Sequence, residues 1–222
     1  MTPTILHRNF KMELDKSEVS SYPSFLPTEI DYFLNLAVNL FIKTRYSGFN
    51  AHRTSLEQTQ KRIDDLRLLT KKSELTQAFS DTYGDNTMNH FLYPEDYMFA
   101  VGDSVQIGGK IVDATEATNE NLDSKLNNSL STHLAHHGTV RPIRMYDNEY
   151  IKLYYSLGTI VDKYYLTYIR KPEVILNSSV TELSDFPDYA WDEILKIAVR
   201  LALENISDSR YSTYSQESQL VE

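Results

Sequence analysis

The chain has 222 residues, enough to bury one large core or two smaller ones without covalent staples. It contains no cysteine, which excludes a disulfide framework, thiolate zinc sites and a cysteine nucleophile, and which fits assembly in a reducing cytoplasm. With 31 acidic against 22 basic residues the formal charge is -9, so a broad electropositive surface for gripping DNA is not expected. The 16 tyrosines, each a large apolar body with a polar tip, suit half-buried sheet faces and subunit contacts.

Residues 1–10 lack the long apolar core and small-residue cleavage site of a signal peptide. The apolar stretch 34–42 is broken by Asn35 and Asn39 and falls well short of the roughly 20 residues a membrane crossing needs. Residues 1–27, with Pro3, Pro23 and Pro27, read as an extended N-terminal arm. Thr28 and Asp31 form a capping-box variant, after which Ile30, Phe33, Leu34, Ala37, Leu40 and Phe41 recur at helical spacing up to Tyr46 and Gly48. Thr54 and Glu57 open a second amphipathic helix with Leu56, Ile63, Leu66 and Leu69 on one side and Lys61, Arg62, Asp64, Asp65 and Arg67 on the other. A short connection between two such helices predicts an antiparallel hairpin over 28–72.

Residues 73–96 read as turns and irregular structure around Gly84, Asp85, Asn86 and Pro94, followed by short strands at 97–101 and 104–107. The polar stretch 115–138 has little to bury and reads as an inserted loop. Three runs dense in β-branched and aromatic residues, 140–146 (VRPIRMY), 149–156 (EYIKLYYS) and 160–170 (IVDKYYLTYIR), predict an antiparallel meander. After Pro172 and a linker to Pro187, a closing helix over 188–206 carries Trp191, Ile194, Leu195, Ala198, Val199 and Ala202 on its core side. Residues 207–222 form a polar tail that cannot stabilise itself by burial. The fold class expected is α+β: one domain over 28–206 made of an N-terminal helical hairpin, an irregular and β region over 73–172 and the closing helix, followed by a flexible tail.

Candidate chemistry is sparse. His133 and His137 stand four apart beside His136, yet Leu134 occupies the place where a zinc protease needs glutamate, so a solvated cluster is the simpler reading. Gly108-Gly109-Lys110 lacks the upstream glycine and following Ser or Thr of a phosphate loop, with Ser104 and Ile111 in those places, and reads as a turn. Asp64 and Asp65 are adjacent on a helix and do not share a face, which disfavours a magnesium site; Asp81 and Asp85 are the other carboxylates of that kind. Lys43, Arg45, Arg53, Lys61, Arg62, Arg67, Lys71 and Lys72 lack interleaved aromatics, and suit salt-bridge partners for an acidic neighbour better than a nucleic-acid groove. No catalytic, cofactor-binding or metal-binding residue is assigned, and a non-enzymatic structural role is expected.

Three segments together resemble adaptor or ring proteins at the head-to-tail junction of tailed bacteriophages, especially crAss-like phages. They are SFLPTEIDYFLNLAVNLFIKTRY with HRTSLEQTQKRIDDLRLL, then RPIRMYDNEYIKLYY with YYLTYIRKPEVI, and LSDFPDYAWDEILKIAVRLALENISDSRY, spanning residues 25–211. The resemblance implies a virion structural subunit, assembled in the host bacterial cytoplasm, that forms a homo-oligomeric and commonly dodecameric connector ring. Such a ring docks on the portal protein, meets an adjacent tail or ring protein and continues a channel through which DNA slides without sequence-specific binding. Within that reading Lys61, Arg62 and Arg67 are candidates for charge pairing between neighbouring copies. Tyr211, Tyr214, Leu220 and Val221 are candidates for docking onto the adjacent ring or portal. A tail-hub or stopper subunit in a more distal layer is the alternative, and a metal-dependent hydrolase using His133 a further one. No cofactor and no membrane partner is expected.

Overall fold

The computed structural model describes residues 1–14, 25–47, 61, 63–128, 130, 133, 140–179 and 181–205. The chain is α+β and divides into two compact units, Met1–Leu69 with Pro172–Glu222, and Thr70–Lys171. The second is therefore an insertion within the first. Among the described residues no helix is long and apolar enough to cross a membrane.

The first unit is helical. Helix α1, Pro3–Leu14, replaces the extended arm expected at the N-terminus. Leu6, Phe10 and Leu14 fall at four-residue intervals and are buried with His7, so one stripe has a core to cover. Helix α2, Pro27–Ser47, begins one residue before the expected cap. Pro27 sets the first helical φ without losing a needed donor, and the Glu29 carboxylate reaches back to accept from the Leu26 N–H at 2.7 Å. Its core stripe, Ile30, Phe33, Leu34, Ala37, Val38, Phe41 and Ile42, is buried.

The first part of the expected second hairpin helix, 54–60 and residue 62, lies outside the described residues. Its described end, 63–66, is helical and closes in a turn at 67–69, so it stops before residue 72 because Thr70–Glu74 is already a strand. The closing helix, Asp188–Asn205, buries the expected face including Trp191 and packs against α2. Phe186 bridges these two helices, edge-on to Phe41 at 5.6 Å and to Trp191 at 5.2 Å.

The second unit holds two sheets. Strands β1 Thr70–Glu74, β2 Gln77–Tyr83, β3 Asn86–Leu92, β4 Tyr97–Ile107, β5 Lys110–Val112, β6 Thr115–Ala117, β7 Ile143–Tyr146, β8 Tyr150–Ser156 and β9 Val161–Arg170 follow in chain order. One sheet runs β1-β9-β4-β5 and the other β2-β3-β8-β7-β6; only β6 and β7 are parallel. Their facing sides share one core, in which Phe91, Ile151, Leu153 and Tyr155 of one sheet meet Val105, Tyr164, Leu166 and Tyr168 of the other.

Three expectations are corrected here. Residues 70–92 form β1, β2 and β3, where turns and irregular structure were expected, and β4 is one bulged strand across Gly102. Part of the supposed loop 115–138 is ordered: β6 pairs with β7, and a short helix α3, Leu122–Leu126, covers Met88, Ile143, Met145 and Tyr154 with Leu122 and Leu126. Finally, β7 and β8 are adjacent but β9 does not continue their meander. Both edges of β8 are occupied, by β3 and β7, so β9 crosses to the other sheet and pairs with β1 and β4.

Candidate functional site

In the helical unit, polar residues of α2 hold distant parts of the chain. Asp31, expected as a capping residue, instead accepts from the Asn177 N–H at 3.0 Å and contacts His7 Nε2 at 2.7 Å through the same Oδ1. Asn35 bonds both backbone groups of Ile175, and Asp185 accepts from the Glu173 N–H at 2.6 Å. The extended run 173–177 is thus bound by side chains where a strand would use a neighbouring backbone. Ile175 is buried beneath it, while Val174 and Leu176 on either side are exposed.

About three turns further along α2, Arg45 gathers two carboxylates. Its Nε donates to Asp65 Oδ2 at 2.9 Å and its Nη2 to Glu193 Oε2, while the guanidinium lies 4.7 Å from the Phe41 ring centroid. Asp65 is 1% exposed, so this ion pair is withdrawn from water. Lys61 Nζ adds a 3.0 Å bond to Glu193 Oε1. Arg45 and Lys61 therefore serve packing of α2, the helical segment 63–66 and the closing helix.

In the β unit the polar centre is Asp103. Its Oδ1 accepts from Arg144 Nη1 at 2.9 Å and its Oδ2 from the Tyr164 hydroxyl at 3.0 Å, which ties β7 of one sheet to β4 and β9 of the other. Burial raises the Asp103 carboxyl above its ordinary value even against the Arg144 charge, and burial likewise pushes the Tyr164 phenol far up. At the far end of β9, Tyr168 donates to Asp96 Oδ1 at 2.7 Å and Lys71 Nζ reaches Asp96 Oδ2 at 3.0 Å. The Tyr168 hydrogen bond leads the lowering of the Asp96 carboxyl. Tyrosines expected to form subunit contacts from the sheet are largely interior: Tyr154, Tyr155, Tyr164 and Tyr168 are all buried. Two-sheet packing needs large apolar bodies on both facing surfaces, and Tyr supplies them.

His90 is a residue that the sequence reading passed over. It is 5% exposed, stacks on Phe79 with centroids 4.0 Å apart, and meets Tyr150 edge-on at 5.6 Å. Neither ring nitrogen has a hydrogen-bond partner among the described residues. Burial first, and then Lys152 opposite it on β8, lower its pKa, against weaker contributions from Asp81 and Asp147.

The residues singled out in the sequence are dispersed. Lys61 is engaged within its own chain, Arg67 is exposed in the turn before β1, and Arg62, Tyr211, Tyr214, Leu220 and Val221 lie outside the described residues. His133 is buried, not solvated, with its carbonyl accepting from Ser156 N–H at 3.3 Å; His136 and His137 are outside the described residues. Among the described residues no group of three or more His, Asp or Glu side chains is placed to hold a metal ion. Gly108 and Gly109 make the β4–β5 turn, with φ of 55° and 78°, left-handed values that favour glycine. Asp64 is exposed and Asp65 is buried, so the two do not share a face.

The sheet edges are unequal. Edge strand β1 carries Lys71 and Lys72; β5 is three residues long and starts at Lys110; β6 is three residues long, and Lys125 donates to its Glu116 carbonyl. Short length and lysine are devices that keep an edge from recruiting another strand. Edge strand β2 is seven residues long, exposed throughout, and has no Lys, Arg or Pro. Its Phe79 and Tyr83 side chains pack on its own sheet, on His90 and Tyr154, and among the described residues no strand pairs with its outer backbone edge. Two equal strands around Gly84-Asp85 carried this hairpin in the sequence.

Comparison with protein-family models and with curated proteins finds no match for this chain.

Proposed function

We infer that this chain is a structural subunit of a head-to-tail connector ring in a tailed phage, one that docks on the portal and extends the DNA channel toward the tail. The observation that carries the reading is where the resembling segments fall. YIRKPEVI and the α2 segment meet at the Asn35–Ile175 contact, and DFPDYAWDEILKIAVRLALEN supplies Asp185, Phe186, Trp191 and the helix packed on α2. Parts of three segments that carry the likeness to connector subunits therefore meet at one junction in the helical unit, while RPIRMYDNEYIKLYY forms β7 and β8 of the other unit. A rigid helical unit bearing an inserted β unit suits side-by-side packing of many copies, and a charge of -9 suits a channel wall on which DNA must not stick. Ring copies, commonly twelve, together with the portal and a neighbouring tail or ring protein are the partners of this reading.

Mass measurement and negative-stain imaging of the purified chain, alone and mixed with the portal of the same phage, test it. Closed rings, free or seated on the portal, are expected. A chain that stays monomeric and never associates with that portal would end the reading.

A further inference from the structure

We propose that β2 is the acceptor edge for a strand donated by the C-terminal segment 207–222 of a second copy. The choice of a second copy rests on the connector-ring reading above. The acceptor side follows from hydrogen-bond parity. Across the two-residue Gly84-Asp85 turn, Tyr83 and Asn86 exchange backbone bonds, as do Asp81 and Met88 two positions on, so Ser80 and Thr82 turn their backbone groups outward. The Thr82 N–H is satisfied locally by Asp81 Oδ1 at 2.7 Å. Ser80 presents its donor and acceptor to an incoming strand. Three other edges are short or lysine-guarded and this one is neither, so the chemistry that fits it is an extended backbone.

The donor follows from what the rest of the chain offers. Residues 15–24, 48–60 and 134–139 also lie outside the described residues, but each is tethered at both ends and contains Pro23, Gly48 or Gly138. Seventeen residues follow Asn205, without Gly or Pro, and fully extended they reach about 55 Å. Within them, RYSTYSQ over 210–216 alternates aromatic and hydroxyl residues of high strand preference. Arg210 is the only Lys or Arg of that tail, and the acceptor hairpin carries Asp81 and Asp85 with no Lys or Arg, so the charges are complementary. A strand passed from each copy to the next makes a head-to-tail contact that closes into a ring.

Because the protein has no cysteine, full-length chains carrying Ser80→Cys and Thr213→Cys, one of them mass-tagged, can be mixed under mild oxidation. The disulfide is expected between the two different chains, at least about ten-fold faster than for Ile111→Cys on the β5 edge with the same Thr213→Cys partner, because docking raises the local concentration. Equal rates at the two edges overturn the proposal. In a chain bearing both Ser80→Cys and Thr213→Cys, closure within one molecule overturns the assignment to a second copy. Asp81→Lys should slow the cross-link about five-fold and Arg210→Glu should restore it, a rescue that a merely structural role for Asp81 does not produce. Rings that form without this cross-link leave the connector reading standing and remove this one.

Discussion

Asn35 holds Ile175 by both of its backbone groups: the carboxamide Nδ2 donates to the Ile175 carbonyl at 2.9 Å, and Oδ1 accepts from the Ile175 N–H at 2.9 Å. The two residues are 140 positions apart, on either side of the inserted β unit. A side-chain amide carries the same donor and acceptor as a peptide group, so one residue on a helix does the work of a strand neighbour. Asn35→Ala removes both bonds and leaves two backbone groups short of partners, at a cost of about 2–4 kcal/mol. The urea midpoint should fall with an unchanged slope; a shift under about 0.5 kcal/mol would mean the strap is held by Asp31 and Asp185 alone.

Among the described residues Arg45 pairs with Asp65 at 2.9 Å, and Asp65 is nearly fully buried. Arg45→Met should therefore destabilise by about 3–5 kcal/mol, since it strands a buried carboxylate. Adding Asp65→Leu should recover most of that loss, because replacing both members of a buried pair removes the stranded charge. Equal instability in the single and double variants would show that packing around Phe41, rather than charge, governs this position.

His90 makes stability fall on mild acidification. Its folded pKa lies below the ordinary 6.5, so as pH drops below 6.5 the unfolded chain takes up a proton that the folded chain still refuses. Its contribution is fully present above pH 6.5 and is lost as pH falls toward the lowered folded value. His90→Phe should flatten this part of the stability profile. An imidazole signal for His90 titrating at or above 6.5 in the folded protein would contradict the burial argument.

Buried phenols govern the alkaline side. Burial pushes Tyr93 and Tyr154 up to about 12, with nearby tyrosines and Asp147 adding to the effect. Their folded values exceed the ordinary value of 10, so the stability they confer is present below pH 10 and is lost as pH rises toward 12. Absorbance titration at phenolate wavelengths should show a first, reversible group of phenols and a second group, Tyr93 and Tyr154 among them, released only with unfolding. Tyr154→Phe should reduce the second amplitude. A single smooth titration centred near 10 would refute this division.

Much of the fold was legible because burial follows local period. Leu6, Phe10 and Leu14 also carried a period, but Pro3 and the polar residues between them favoured an arm, and only packing against α2 and the closing helix gives that stripe a core. The candidate contact residues were least legible. A lysine such as Lys61 looks the same in sequence whether its carboxylate is Glu193 of the same chain or one of a neighbour. The β2 edge was missed because its strand is exposed on both faces and leaves no burial alternation to read.

The sequence by itself determined the side-chain faces: the stripes of α2 and the closing helix, the strand character of β7, β8 and β9, and the glycine turn between β4 and β5. These depend on residue type and spacing along a few turns or pleats. Only the tertiary structure decided that β9 leaves the sheet of β8, that Asn35 and Asp31 bind a strap far along the chain, and that β2 is the end strand of its sheet among the described residues. Backbone donors and acceptors are nearly identical at every position, so which strands pair is settled by whole-chain packing and by which edges are already taken.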